Sequence, residues 1–146
     1  MRTYRYRSLD WKPGGLLRKT VEESRVAVVT TAGFHTPDQE AFDLEIRGGD
    51  VTYRTLTRDT DLACLTTSHR SNAFDVEGIR RDPNVALPLE RLAALAAEGA
   101  IGDVAPRHFS FMGSISAPAR LIQRSSPSVV RALQNDGVDV VLLTPV

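Results

Sequence analysis

The histidines are the residues of this chain best suited to chemistry. His35, His69 and His108 are each predicted to stand in a polar loop punctuated by Gly or Ser. Imidazoles bind Zn²⁺ or transfer protons near neutral pH, so a shared site is expected if the three segments converge. The spacing contains neither HxH nor HExxH, and separate histidines held by local hydrogen bonds are the alternative. No metal site is assigned on this basis.

Other nucleophiles and phosphate-binding motifs give weaker signals. Ser68 and Ser110 lie near histidines but lack the context of a nucleophile elbow. The single cysteine, Cys64, lies in an apolar segment and is predicted to be a buried, inert thiol. It excludes a disulfide or a CxxC pair within the residues given. No glycine belongs to a GxGxxG or P-loop pattern.

The elements that must position these residues alternate along the chain. Hydrophobic patterns predict strands at residues 25–31, 51–56, 62–66, 84–87 and 138–143, and helices at 16–24, 89–98 and 126–135. Residues 41–46 alternate in polarity, and Gly48-Gly49 predicts a hairpin turn after them. The sequence thus predicts an α/β fold, with a mostly parallel sheet flanked by helices and an antiparallel hairpin at one side.

The last predicted strand sets the place where a site is expected. Its run of Val and Leu predicts a strand buried on both faces of a parallel sheet. In open α/β sheets, ligands collect beyond the carboxyl ends of the strands. Thr144 and Pro145 follow this strand, and Gly33 and His35 follow the first one. These residues are expected at a common edge of the sheet.

Composition limits the function classes. With 42% hydrophobic and 25% charged residues, the chain reads as one α/β domain over residues 25–146, preceded by a basic and aromatic arm with a short helix over residues 1–24. Its 18 basic and 18 acidic residues cancel, so only this arm argues for RNA, and a solvated arm or one packed on a partner subunit is preferred. No apolar run suits a membrane span or a signal peptide, so cytoplasmic location is expected.

Ordered blocks of sequence resemble a known family. They lie at residues 29–35 (VTTAGFH), 68–69 (SH), 82–92 (DPN to PLERL), 98–102 (EGAIG), 105–113 (APRHFSFMG) and 136–146 (DGVD to TPV). Together they resemble the selenoprotein B family of the glycine/sarcosine/betaine/D-proline reductases. The resemblance runs from about residue 25 to residue 146. It implies a thiol- or selenol-dependent oxidoreductase.

The resemblance also implies where the redox residues belong. In the family, a selenocysteine or cysteine, two residues and a second cysteine follow the strand that is similar to residues 137–146. Here the sequence given ends at Val146. We expect termination at a UGA selenocysteine codon, so that the chain is the scaffold part of a reductase whose full-length product carries selenocysteine and needs no other cofactor. Residues expected to line the site are Thr31, Gly33, His35, His69, Arg107, His108, Thr144 and Pro145.

Roles and partners follow from the same resemblance. Arg107 is expected to bind a substrate carboxylate, or else to hold carbonyls of the last strand. The expected partners are a small-molecule substrate or a partner redox protein, in a homo-oligomer. The alternative is a non-enzymatic small-molecule-binding or oligomerisation module that offers an open sheet edge to another chain.

Overall fold

The computed structural model describes residue 10, residues 14–71 and residues 73–146. Single 3₁₀ turns occur at Val21–Glu23, Leu62–Cys64 and Pro83–Val85, and a π-helical turn at Leu121–Ser125 leads into the last helix. The strands are β1 (Arg25–Thr30), β2 (Phe34–His35), β3 (Arg54–Thr57), β4 (Thr66–Thr67), β5 (Asp103–Val104), β6 (Arg107–Ser110) and β7 (Val140–Thr144), and the helices are α1 (Val76–Arg81), α2 (Leu89–Ala97) and α3 (Ser126–Asn135).

Strand β1 is the centre of the main sheet. It pairs in parallel with β7 on one side and with β5 and β6 on the other, and β3 joins β6 antiparallel. A separate pair, β2 and β4, is antiparallel. The carboxyl ends of β1, β6 and β7 therefore meet at one edge of the sheet, as the register Thr30 to Ser110 and Thr30 to Thr144 shows.

The partner of β1 bulges between β5 and β6. Val26 pairs with Val104 and Val29 with Phe109, so three steps along β1 face five along its partner. The carbonyl of Pro106 accepts the Arg58 N–H at 3.2 Å, which turns this part of the backbone towards β3. At the bulge, the buried ring of His108 stands where a backbone acceptor would otherwise lie. Its Nδ1 accepts the Val28 N–H at 3.0 Å. An imidazole thus replaces a backbone acceptor in the sheet ladder.

Two hydrophobic clusters cover the two faces of the sheet. The first packs α1 and α2 on the sheet through Ile79, Leu89 and Leu92, and the second packs α3 through Val129 and Leu133. The predicted α/β class, with a mostly parallel sheet and a small antiparallel pair, is confirmed, as are the helices predicted at 89–98 and 126–135. None of the described helices is long and apolar enough to cross a membrane.

Two short strands predicted from apolar runs are 3₁₀ turns instead. Asp61 Oδ1 accepts the Ala63 N–H at 2.9 Å, and Asp82 Oδ1 accepts the Asn84 N–H at 3.0 Å. Each aspartate therefore starts a turn just where the apolar run begins, because a carboxylate satisfies N–H groups that a helical turn leaves free. The prediction of full strands at 62–66 and 84–87 was wrong, although β4 occupies the end of the first.

Two predictions near the amino terminus need correction. The basic and aromatic arm of residues 1–24 lies largely outside the described residues. Within residues 14–24 the predicted helix is wrong, since Leu16 and Leu17 are 95% and 44% exposed and only a 3₁₀ turn forms. A short helix without packing for its apolar side is marginal in water.

The predicted hairpin around Gly48-Gly49 is also wrong. The turn exists, because the Gly49 N–H donates to the Ile46 carbonyl at 3.0 Å, but residues 41–46 form no strand. The strand predicted at residues 51–56 begins later, at Arg54, and pairs with β6 instead. The antiparallel pairing of this fold is thus long-range.

Strand β7 is less covered than its composition predicts. Val141, Leu142 and Leu143 are 37%, 39% and 67% exposed. Within the described residues β7 pairs with β1 alone, so its second edge and part of both faces meet solvent. The expectation that this strand is buried on both faces was therefore wrong, although its position and its parallel pairing agree with the sequence.

Candidate functional site

The hydroxyl of Thr31 ties together the carboxyl ends of β1 and β7. Its Oγ1 accepts the Val146 N–H at 3.0 Å and donates to the Val146 carbonyl at 3.2 Å. The Thr31 N–H donates to the Thr144 carbonyl at 3.2 Å. One threonine therefore fixes both backbone groups of Val146 at the edge where ligands of open α/β sheets bind.

We call the two hydrogen bonds between Thr31 Oγ1 and Val146 the Thr31 clasp. A cavity of about 420 Å³ opens beside it, and we call this cavity the carboxyl-end cleft. Its volume is within the range typical of small-molecule sites. Most of its lining residues are apolar, and Thr31, Ser114 and Ser126 are the residues with hydroxyl groups among them. Its other main lining residues are Val29, Phe111, Gly113, Leu121 and Val146.

The ring of His69 packs next to this cleft. A Cβ on Gly113 would lie 2.8 Å from His69 Nε2 and 2.9 Å from the Thr31 carbonyl oxygen, so glycine allows the close approach of all three. His69 Nδ1 accepts the Ser71 N–H at 3.1 Å, which leaves the proton of the neutral ring on Nε2. That Nε2 is buried and has no hydrogen-bond partner among the described residues.

The protonation state of His69 follows from its surroundings. Burial lowers the pKa of His69, and the ring stacks on Phe74 with centroids 4.1 Å apart. Because the pKa falls below its usual value, the imidazole is neutral at pH 7. It therefore offers a hydrogen-bond donor next to the Thr31 clasp, and not a positive charge.

Gly33 and His35 form the layer next to this site. The Gly33 N–H donates to the Phe111 carbonyl at 2.8 Å, and the Ser68 N–H donates to the Gly33 carbonyl at 3.0 Å. The buried ring of His35 has Nε2 3.1 Å from Ser68 Oγ. The structure thus brings Thr31, Gly33, His35 and His69 into adjacent segments at one edge of the sheet.

His108 lies apart from this group, inside the sheet. It is fully buried, and burial together with the positive charge of Arg58 lowers its pKa to about 4. Its Nε2 and the Ser110 hydroxyl have no partner among the described residues. The ring fills the bulge of the β1 ladder, in a strand and not in the loop that the sequence suggested.

Arg107 also lies outside the carboxyl-end group. It begins β6, at the amino end of that strand, and its Nε and Nη2 donate to the two carboxylate oxygens of Asp136 at 2.8 and 2.7 Å. This pairing raises the pKa of Arg107 and lowers the pKa of Asp136. The guanidinium is therefore engaged by Asp136, at the end of α3.

Thr144 and Pro145 complete the predicted set. Thr144 Oγ1 donates to the Ala86 carbonyl at 2.7 Å, which ties β7 to the segment before α2. Pro145 follows directly and ends the strand, since proline has no N–H to continue the ladder. Both hold the end of β7 in place.

Some residues of the site were not singled out from the sequence. Gly113 stands at φ +73°, in the left-handed region, and it directly follows β6 and the Phe111-Met112 pair. A glycine after an apolar strand was the available signal.

Cys64, predicted to be buried, is exposed, and its thiol donates to Asp61 Oδ2 at 3.1 Å. Asp61 raises the pKa of Cys64, so the thiol stays protonated.

Comparisons with known proteins bear on this arrangement. The family model for glycine/sarcosine/betaine reductase selenoprotein B matches residues 18–146. The chain is 31% identical over 134 residues to D-proline reductase subunit gamma of Acetoanaerobium sticklandii, covering 92% of this chain and 52% of that subunit. It is 32% identical over 129 residues to the betaine reductase complex component B subunit beta of Peptoclostridium acidaminophilum, covering 86% of this chain and 29% of that subunit.

The lengths differ. The chain spans about half of the first relative and less than a third of the second. No solved structure shows significant similarity to the chain.

Proposed function

Since this chain belongs to the glycine/sarcosine/betaine reductase selenoprotein B family, we propose that it forms the scaffold part of a selenocysteine- or cysteine-dependent reductase subunit. The redox residue is proposed to come directly after Val146. The observation that carries this proposal is the clasp of Val146 by Thr31 Oγ1, at 3.0 and 3.2 Å, beside the carboxyl-end cleft. A group attached there would enter the cleft at a fixed position.

The chain's own residues would prepare that position. A selenolate or thiolate there would supply the nucleophile, and a second thiol would resolve the product. Thr31 would orient its backbone, and Gly113 would keep the approach free of a side chain. The neutral His69 Nε2–H lies next to Gly113 and has no hydrogen-bond partner among the described residues, and it would stabilise a developing negative charge by a hydrogen bond.

The proposed substrate is a small amino acid or betaine, in line with the names of the two relatives. Those names also describe subunits, so a partner redox protein or further copies of the chain are proposed as partners. The exposed residues Val141, Leu142 and Leu143 on the open side of β7 would suit such a contact. A reducing compartment such as the cytoplasm suits a free selenol or thiol.

The codon after Val146 is the sharpest test. We expect UGA there, followed in frame by two codons and a cysteine codon, because the family's redox motif follows this strand. Sequencing the source gene past residue 146 reads it directly. UAA or UAG, or UGA without a downstream cysteine codon, would contradict the proposal. The alternative of a binding or oligomerisation module, which the exposed Leu143 favours, would then be preferred.

Thr31→Val tests the clasp in the complete gene product. Valine has the shape of threonine but lacks the hydroxyl, so both bonds to Val146 disappear. We expect turnover of D-proline or betaine to fall by about 10- to 100-fold, because small misplacements of reacting groups are costly. Steady-state kinetics with a thiol reductant measures it.

Thr60→Val is the matched control for this measurement. Thr60 Oγ1 also accepts a backbone N–H, that of Thr57, at 2.9 Å, but in a turn that does not line the cleft. Its turnover should equal that of the wild type. Equal turnover for Thr31→Val as well would refute the proposed role of the clasp.

A further inference from the structure

A second cleft lies on the opposite face of the sheet and shares no lining residue with the first. It has a volume of about 670 Å³ and lies between β4 and the α1 region. Its floor is apolar, formed by Phe34, Leu62 and Ile79, which are 2%, 8% and 5% exposed. We call it the arginine cleft, because Arg80 and Arg81 stand at its rim.

The two arginines of this rim have no carboxylate partner among the described residues. Arg80 and Arg81 are exposed. Both lie in the last turn of α1, where a basic side chain also favours the helix carbonyls. That interaction stabilises the helix but leaves the guanidinium donors free for an anion.

The acidic residues of the same rim have partners of their own. Glu90 Oε2 accepts from Asn84 Nδ2 at 2.8 Å, and Asp82 Oδ1 accepts the Asn84 N–H at 3.0 Å. The second Asp82 oxygen is 3.9 Å from Arg91 Nη2. With Arg91 beside Asp82, the charged groups around the mouth of the arginine cleft carry one positive charge in excess, and Arg80 and Arg81 are the two among them without a carboxylate partner among the described residues.

We propose that the arginine cleft binds a small amphipathic carboxylate. The carboxylate would take hydrogen bonds from Arg80 and Arg81, and the apolar tail would lie over the buried floor against Ala63 and Leu65, the apolar lining residues that are less buried. The volume suits a ligand of this kind, since small-molecule sites combine apolar walls with a few fixed polar groups. This site is independent of the proposed reductase function, because it lies on the α1 and α2 face while the carboxyl-end cleft lies on the α3 face.

Octanoate is the probe that tests this proposal. Isothermal titration of the purified chain should show saturable binding with one octanoate per chain. Octanamide, which lacks the charge, should bind at least about tenfold more weakly, since a charge-assisted hydrogen bond contributes at least that factor. Acetate keeps the charge but lacks the tail, and it should also bind at least about tenfold more weakly because it buries no methylene groups. Amide NMR shifts should move at residues 62–67 and 79–84 and not at residues 113–115.

The double variant Arg80→Gln with Arg81→Gln should weaken octanoate binding by about tenfold or more. Both side chains are exposed and glutamine is a good helix former, so the fold should persist. Arg131→Gln removes an exposed arginine from α3, outside the cleft, and should bind octanoate like the wild type. The proposal is overturned by absent saturation, by equal affinity of octanamide, by unchanged affinity of the double variant, or by shifts at residues 113–115.

Discussion

Gly33→Ala is expected to destabilise the folded state by about 2 to 5 kcal/mol, the largest effect expected of an alanine at any glycine of this chain. Gly33 has φ +67°, where a Cβ is strained. That Cβ would also lie 2.1 Å from the Ser68 carbonyl oxygen. Because this neighbour is backbone, the strand pair β2 and β4 must shift to admit the methyl group. Urea unfolding followed by circular dichroism measures the change.

Gly99→Ala separates the two causes. Gly99 has φ +73°, but apart from its neighbours along the chain no atom lies within 4 Å of the place that a Cβ would occupy. It therefore carries the backbone strain alone, and a loss of about 1 to 2 kcal/mol is expected. If the two variants lose equal stability, the close approach between Gly33 and Ser68 contributes nothing. The additional loss of stability in Gly33→Ala, relative to Gly99→Ala, measures how tightly the segment before His69 is held against the sheet.

The second large effect is a pH dependence caused by His108. Its pKa is lowered to about 4 in the folded state, against an ordinary value of 6.5. Above pH 6.5 the ring is neutral in both states, so it adds no pH dependence. Below pH 6.5 His108 binds a proton in the unfolded chain but stays neutral in the folded chain. The free energy of unfolding therefore falls as the pH falls towards 4. We expect a loss of about 2 kcal/mol between pH 7.5 and pH 5.

Two variants isolate this effect. His108→Asn keeps an acceptor near the Val28 N–H but cannot titrate, so it should remove most of the pH dependence. His108→Leu also removes the acceptor and should cost about 1 to 3 kcal/mol at pH 7.5, the penalty of an unsatisfied buried N–H. Unfolding at several pH values above 5 keeps the carboxylates out of the comparison. His69, whose pKa is also lowered, contributes in the same direction and remains in both variants.

Local patterns in the sequence determined much of this protein. The order of α2, α3 and β7 and the α/β class could be read from apolar periodicity and from the Pro and Gly residues at the ends of the helices. The family was also predicted correctly from ordered blocks of residues, because backbone positions such as Gly33 and Gly113 accept few side chains. The helix and strand patterns depend on neighbours along the chain, whereas the restriction at Gly33 and Gly113 comes from residues that are distant in sequence.

Predictions failed where a local hydrogen bond or a long-range neighbour overrode the hydrophobic pattern. Asp61 and Asp82 convert apolar runs into 3₁₀ turns by accepting backbone N–H groups. The apolar composition of β7 predicted full burial, but exposure depends on what covers a strand, and that is a long-range property. An apolar composition shows that a strand can be buried, but it does not show which elements cover that strand.

The identity of the site residues was decided by tertiary structure. His35, His69 and His108 looked alike in the sequence, yet only His35 and His69 lie with Thr31 and Gly33 at the carboxyl edge, while His108 fills a bulge in the ladder. The bulge requires a register between residues that are about 80 positions apart. Such a register is set by the packing of the whole sheet, and side-chain type alone does not encode it.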